Sequence, residues 1–302
     1  MKCRAIWTAV ALALLAAMAA AQAQEQYLDV YAVQVKPDKR AEFDAVTKKI
    51  VAANRQNKGD TWLTMETVYG QGSRVTFIST RRSYEEAEKA AETFDGAIEK
   101  SLGKPGTEKL FQDYNQCVVN YRTEFRRRRW DLSSNAPADD AAMAKLLGES
   151  RWLRTVAVHV RPGQADTFEA LLKDLKTARE KASPPITTLV SQAVAGQEGT
   201  VFYVTTPESS LAGFDTLPSM QKLLGDDGYA KWVKTNTDAV ANTETVINHF
   251  LPELSNPPEE FVAVAPDYWR PKTAMAAKSA SKKNGMVNAA STSKEEDKSQ
   301  QH

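Results

Sequence analysis

The sequence predicts an α+β fold: two tandem ferredoxin-like repeats whose antiparallel sheets close on each other as an internal pseudo-dimeric α/β barrel. Three observations predict it. The chain repeats itself at long range, since Val33-Gln34-Val35-Lys36-Pro37 returns as Val158-His159-Val160-Arg161-Pro162 at a shift of 125 positions, and Lys100-Ser101-Leu102-Gly103 returns as Lys222-Leu223-Leu224-Gly225 at 122. A period this long marks a duplicated domain and not a solenoid. Each copy reads as strand, helix, strand, strand, helices, strand, the order of the split βαβ unit in which helices cover one face of a sheet. Finally, the opening strand of each copy is apolar on both faces, so a second sheet must cover what the helices leave bare.

Taken in order, residues 26–35 alternate with Tyr27, Tyr31, Val33 and Val35 on one face and Leu28, Val30, Ala32 and Gln34 on the other, a strand buried from two sides. Pro37 ends it and suits the first turn of a helix. Phe43, Val46, Ile50 and Val51 then recur at helical spacing. Residues 62–69 and 74–80 read as strands around the tight Gly70-Gln71-Gly72 turn. Residues 84–102 and 108–121 favour helix, and 124–130 a last strand. The second copy follows suit: a strand at 154–161, a helix carrying Phe168, Leu171, Leu172 and Leu175, strands at 187–195 and 200–206, helices at 209–224 and 229–243, and a strand at 245–251. The Gly70–Thr80 segment aligns with Gly196–Thr206 at a shift of 126.

The termini differ from this core. Lys2 and Arg4, an apolar run from Ile6 to Ala21 and then Ala21-Gln22-Ala23 read as a secretory signal peptide over residues 1–23, cleaved after Ala23. The expectation is therefore a periplasmic or secreted protein with no membrane segment once that peptide is gone. Cys117 is then the sole thiol, so no internal disulfide forms. The remaining chain divides into a first repeat (24–134), a linker (135–149), a second repeat (150–256), an extended strap (257–272) and a disordered tail (273–302) of Ala, Ser, Lys and Glu. The net charge of +1 falls to −1 without Lys2 and Arg4. Such a balance excludes an electrostatic nucleic-acid binder.

The strand-Lys/Arg-Pro-helix opening (Val35-Lys36-Pro37, Val160-Arg161-Pro162), with Phe43 and Phe168 at one helical position, resembles the dimeric α/β-barrel superfamily, which includes antibiotic-biosynthesis-monooxygenase-like and NIPSNAP-like domains. The resemblance covers about residues 26–256. It implies the barrel. It implies no single reaction, because members include oxygenases, haem-degrading enzymes, isomerases and proteins without assigned activity.

Four candidate features carry chemistry. His159 stands on the inward face of its strand where the first repeat has Gln34, and His249 lies in the last strand where the first has Arg127. First and last strands of such a sheet are neighbours, so the two imidazoles could share a region. His159 is the best candidate for a general base; the competing reading is a buried, hydrogen-bonded histidine. No third ligand has metal-site spacing, and no cofactor is expected. Arg126-Arg127-Arg128-Arg129 must place alternate guanidiniums on opposite faces. An inward pair needs acidic side chains or an anionic ligand; the bland reading is an exposed edge strand protected by charge. Trp62, Tyr69, Tyr121, Trp130, Tyr203 and Trp232 either line a pocket for an apolar ligand or pack the core. The expected ligand-contacting set is Gln34, Trp62, Arg127, His159 and His249.

These features favour a protein that binds a small apolar or amphipathic molecule between its repeats, as a monomer with an internal pseudo-dimer or as a homodimer. The rivals are a cofactor-independent monooxygenase-like oxidoreductase and a non-catalytic interaction module using the strap or tail.

Overall fold

A computed structural model describes residues 25–271; the expected signal peptide and tail lie outside the described residues. The first repeat runs β1 (Tyr27–Val35), α1 (Arg40–Gln56), β2 (Leu63–Tyr69), β3 (Arg74–Arg81), α2 (Tyr84–Cys117), β4 (Val118–Arg128). After α3 (Asp140–Glu149), the second runs β5 (Trp152–Val160), α4 (Ala165–Lys181), β6 (Leu189–Ala195), β7 (Thr200–Glu208), α5 (Met220–Ala239), β8 (Val240–Phe250). Two short helices, α6 (Glu259–Val264) and α7 (Pro266–Trp269), follow.

All eight strands form one closed antiparallel barrel in the order β1-β3-β2-β8-β5-β7-β6-β4. Each repeat contributes four neighbours in the ferredoxin-like order, β4-β1-β3-β2 and β8-β5-β7-β6. The sheets meet at β2–β8 and β4–β6. The fold class expected from the sequence is the one observed. Closure also removes the sheet edges that an isolated repeat would expose.

The outer face of each half packs under its own helices. Val33, Val35 and Val75 meet Phe43, Ile50 and Tyr114 in one core, and Val158, Val160 and Phe202 meet Phe168, Leu172 and Leu175 in its counterpart. Both α2 and α5 turn a corner at a glycine in the left-handed region, Gly103 (φ 66°) and Gly225 (φ 69°), a conformation that costs glycine nothing.

Several sequence expectations need correction. The strands expected at 124–130 and 245–251 begin earlier, at Val118 and Val240; Leu110, Tyr114, Cys117 and Tyr121 sit at helical spacing and carry the helical pattern past the true end of α2. The 126-position alignment of the third strand is off by one. The pairings Val33↔Val75 and Val158↔Phe202 require a shift of 127 there, because the β6–β7 hairpin holds one residue more than the β2–β3 hairpin. One residue reverses the facing of every side chain, which turns Tyr203 inward and Phe77 outward. The strap expected to be extended forms α6 and α7, and the linker contains α3.

Those two segments share a task. Leu147, Val262, Phe261 and Trp269 pack with Leu63, Met65, Leu153 and Phe250 in a third core that closes one end of the barrel. Trp269 is 1% exposed and donates its indole N–H to the Gly148 carbonyl at 2.9 Å. At the other end the barrel is splayed. Strand β4 joins β6 only from Phe125 onward, and β8 joins β2 only from Ile247 onward, so Val119 and Tyr121 stand exposed.

Candidate ligand cavity

The barrel interior is a cavity of about 1130 Å³, slightly larger than most small-molecule sites. Strand alternation decides what lines it. Leu28, Ala32 and Gln34 of β1 face inward beside Thr80, Thr76 and Arg74 of β3, while Thr155, Ala157 and His159 of β5 face Thr205, Tyr203 and Val201 of β7. Towards the closed end the wall is apolar, with Leu63, Leu153, Leu189 and Phe250 above Met143 and Leu147 of α3. Towards the splayed end it is polar, with Gln34, Asn120, Arg122 and His159.

The arginine run divides as alternation requires. Arg126 and Arg128 line the cavity; Arg127 pairs in register with Tyr27 on the outer face. This stretch of β4 bonds to both β1 and β6, so the edge-strand reading is corrected: the arginines occupy the interior of a closed sheet. Arg129, beyond the strand, clasps the two repeats. Its guanidinium donates to Glu169 on α4 at 2.6 and 2.7 Å, to Asp131 at 2.9 and 2.8 Å, and to Gln192 at 2.9 Å. Its hydrogen bonds hold the carboxyls of Asp131 and Glu169 below the usual carboxylate range.

Midway along the wall lies a buried polar knot. The Glu124 carboxylate accepts from the Tyr203 hydroxyl at 2.7 Å, from the Gln197 amide at 2.7 Å and from Arg126 at 2.8 Å. The Arg126 guanidinium also lies over the Tyr203 ring at 3.4 Å, a cation–π contact. Burial pushes the Glu124 carboxyl up, but the charge of Arg126 and the donated hydrogen bonds outweigh it and leave the group below its ordinary value. Burial pushes the Tyr203 hydroxyl up, so it acts here as a neutral donor.

Of the five residues expected to contact a ligand, the structure places Gln34, Trp62 and His159 on the cavity wall. Gln34 donates to the Gly72 carbonyl at 2.7 Å, and Trp62 donates to the Leu254 carbonyl at 2.9 Å. Arg127 and His249 are not brought to the cavity. His249 packs against Trp152 with tilted rings whose centroids are 4.5 Å apart, and burial pushes its imidazole pKa down. The strands β5 and β8 are neighbours, yet His159 pairs with Asn242 and His249 with Trp152. The imidazoles therefore lie about 23 Å apart along the ladder and on opposite faces. Of the six candidate aromatics, Trp62, Tyr121, Trp130 and Tyr203 border the cavity. Among the described residues no three His, Cys, Asp or Glu side chains are grouped so as to hold a metal ion, and no helix is long and apolar enough to cross a membrane.

Sequence reasoning missed Glu124 and Gln197. The signal for Glu124 was its spacing, two and four residues before Arg126 and Arg128, which puts all three on one face of a strand. Gln197 lies in a turn, and only the fold brings it to the wall.

No protein-family model and no curated protein matches this chain. Solved structures do. An anthrone oxidase-like protein shares 14% identity over 76% of this chain and 92% of its own, with a TM-score of 0.49. Chlorite dismutase from Candidatus Nitrospira defluvii shares 9% over 80% and 95%, at 0.45. A heme-binding protein from Thermus thermophilus shares 11% over 77% and 93%, at 0.41. At such identities and scores the likeness carries no argument about activity; the eight-stranded α+β barrel rests on this chain's own strand order.

Proposed function

We propose that this protein is exported and binds a small apolar or amphipathic molecule inside the barrel formed by its two repeats. The observation that carries the reading is the cavity itself: α3, α6 and α7 packed across one end, apolar walls above them, and a polar rim at the splayed end. A barrel whose purpose was only stability would fill its interior with side chains. The uncharged reporter N-phenyl-1-naphthylamine is expected to bind the mature chain saturably at one site. Ala157→Trp, which projects an indole from β5 into the cavity, is expected to weaken it at least tenfold. A folded wild-type protein that gives no saturable signal contradicts the reading.

A second reading, a cofactor-independent oxidoreductase, draws on one observation: His159 stands on the cavity wall where the first repeat places Gln34. There it would accept a proton from a bound substrate. On a substrate found by screening, His159→Ala is expected to lower kcat at least a hundredfold; unchanged turnover removes the histidine from any such mechanism.

A further inference from the structure

The inward arginines differ in what holds them. Arg126 has Glu124 at 2.8 Å. Arg128 has no ion pair and no side-chain hydrogen bond among the described residues, and its Nε–H is buried without an acceptor. Among the described residues the Trp130 ring lies 5.3 Å from its guanidinium carbon. The acidic groups on the cavity wall are committed elsewhere or exposed: Glu25, Glu86 and Glu260 are exposed, the first accepting from the Tyr27 hydroxyl and the second from the Arg82 N–H. Glu124 serves Arg126, Tyr203 and Gln197; Asp139 caps α3 by accepting from the Ala142 N–H at 2.7 Å; Glu244 faces Arg74 at 3.9 Å; Asp140 is solvent-exposed beside Arg82. Arg128 is partly buried, and a guanidinium with one N–H shut away from both water and an acceptor is costly, because the hydration lost there is not replaced. Burial and the charge of Arg126 push its pKa down to about 10, so it remains a cation at neutral pH. Arg179 is itself buried, but it does not border the cavity.

From this geometry we infer that the ligand carries one anionic oxygen group, a carboxylate or an equivalent oxyanion, that seats on Arg128 while its apolar body lies against Leu153, Leu189 and Phe250. The inference rests on the cavity reading above and narrows it to an organic anion. Arg128 closes β4 opposite Ser191 of β6, at the level of the apolar wall and away from the polar rim, so charge recognition and apolar burial share one chamber. The site belongs to one half only. The second repeat has Phe250 where the first has Arg128, and Asn248 where it has Arg126, so one ligand is held in one orientation.

The test uses the mature chain at pH 8 and probe pairs that differ only in charge, decanoate against decan-1-ol and 2-naphthoate against 2-naphthalenemethanol, each competing with N-phenyl-1-naphthylamine. Wild type is expected to prefer each carboxylate at least tenfold. Arg128→Met, similar in length and uncharged, is expected to lose that preference while keeping the alcohols. Without ligand, Arg128→Met is expected to unfold about 3 °C above wild type, since an unpaired, partly buried charge is removed. Equal binding of acid and alcohol by wild type, a preference that survives in Arg128→Met, or a lower unfolding midpoint in that variant would each overturn the inference while the cavity reading stands. Inorganic phosphate displacing the reporter as well as decanoate would mark a simple-ion site and also overturn it. A reporter that never binds sinks the cavity reading itself, and the inference with it.

Discussion

Glu124→Ala is expected to destabilise the protein by about 3–4 kcal/mol, the cost of leaving a buried guanidinium without its counter-charge, and to lower the unfolding midpoint by about 10 °C. The carboxylate is 7% exposed and receives hydrogen bonds from three residues. Its loss strands Arg126 and the Tyr203 hydroxyl proton, while the Gln197 amide keeps the Tyr203 oxygen as acceptor at 2.9 Å. Tyr203→Phe removes one donor and leaves the ion pair, so its cost should be about 1 kcal/mol. The pH dependence distinguishes the charge from the shape. Because the folded state holds the Glu124 carboxyl below its unfolded value, its contribution is fully present above that unfolded value and is lost as pH falls through the folded one. The stability gap between wild type and Glu124→Gln should therefore be constant from pH 8 to about 5 and narrow below about pH 4. Thermal unfolding across that range checks it; a gap that widens in acid contradicts the assignment.

The second large effect belongs to the floor. Trp269→Ala is expected to cost about 3–5 kcal/mol, the range for emptying a fully buried aromatic site. Trp269 packs edge-on against Phe250 and Tyr268 at centroid distances of 5.4 and 5.1 Å. It also satisfies the Gly148 carbonyl at the end of α3, so the change loosens the linker helix together with the C-terminal segment. Trp269→Phe keeps most of the apolar contact and loses the hydrogen bond, and should cost about 1–2 kcal/mol. Denaturant unfolding of the three proteins measures both. A Trp269→Ala protein as stable as wild type would show that α6 and α7 do not close the barrel.

The repeats, the strand order within each and the two-sided opening strands were all legible in the sequence, because strand alternation and helical spacing are local signals. Closure was legible as a need, from the apolar inner face of Val30 and Ala32. The floor was not. Leu147, Val262 and Trp269 come from segments that look like a linker and a strap, and their apolar side chains acquire meaning only where the barrel ends. The site was partly legible for the same reason. Alternation correctly separates Arg126 and Arg128 from Arg127, and places Gln34 and His159 on one inner surface. It gives no register between distant strands, so it could not show that His249 turns outward or that one extra hairpin residue brings Tyr203 to Glu124.

Native mass spectrometry of the protein purified from its own source, compared with the denatured mass, tests the central claim most directly. The account predicts a noncovalent organic species at one copy per chain, lost on denaturation, acidic in free form, and absent from Ala157→Trp. A native mass equal to that of the bare chain, together with a crystal structure in which side chains fill the space between Arg128 and His159, would contradict it.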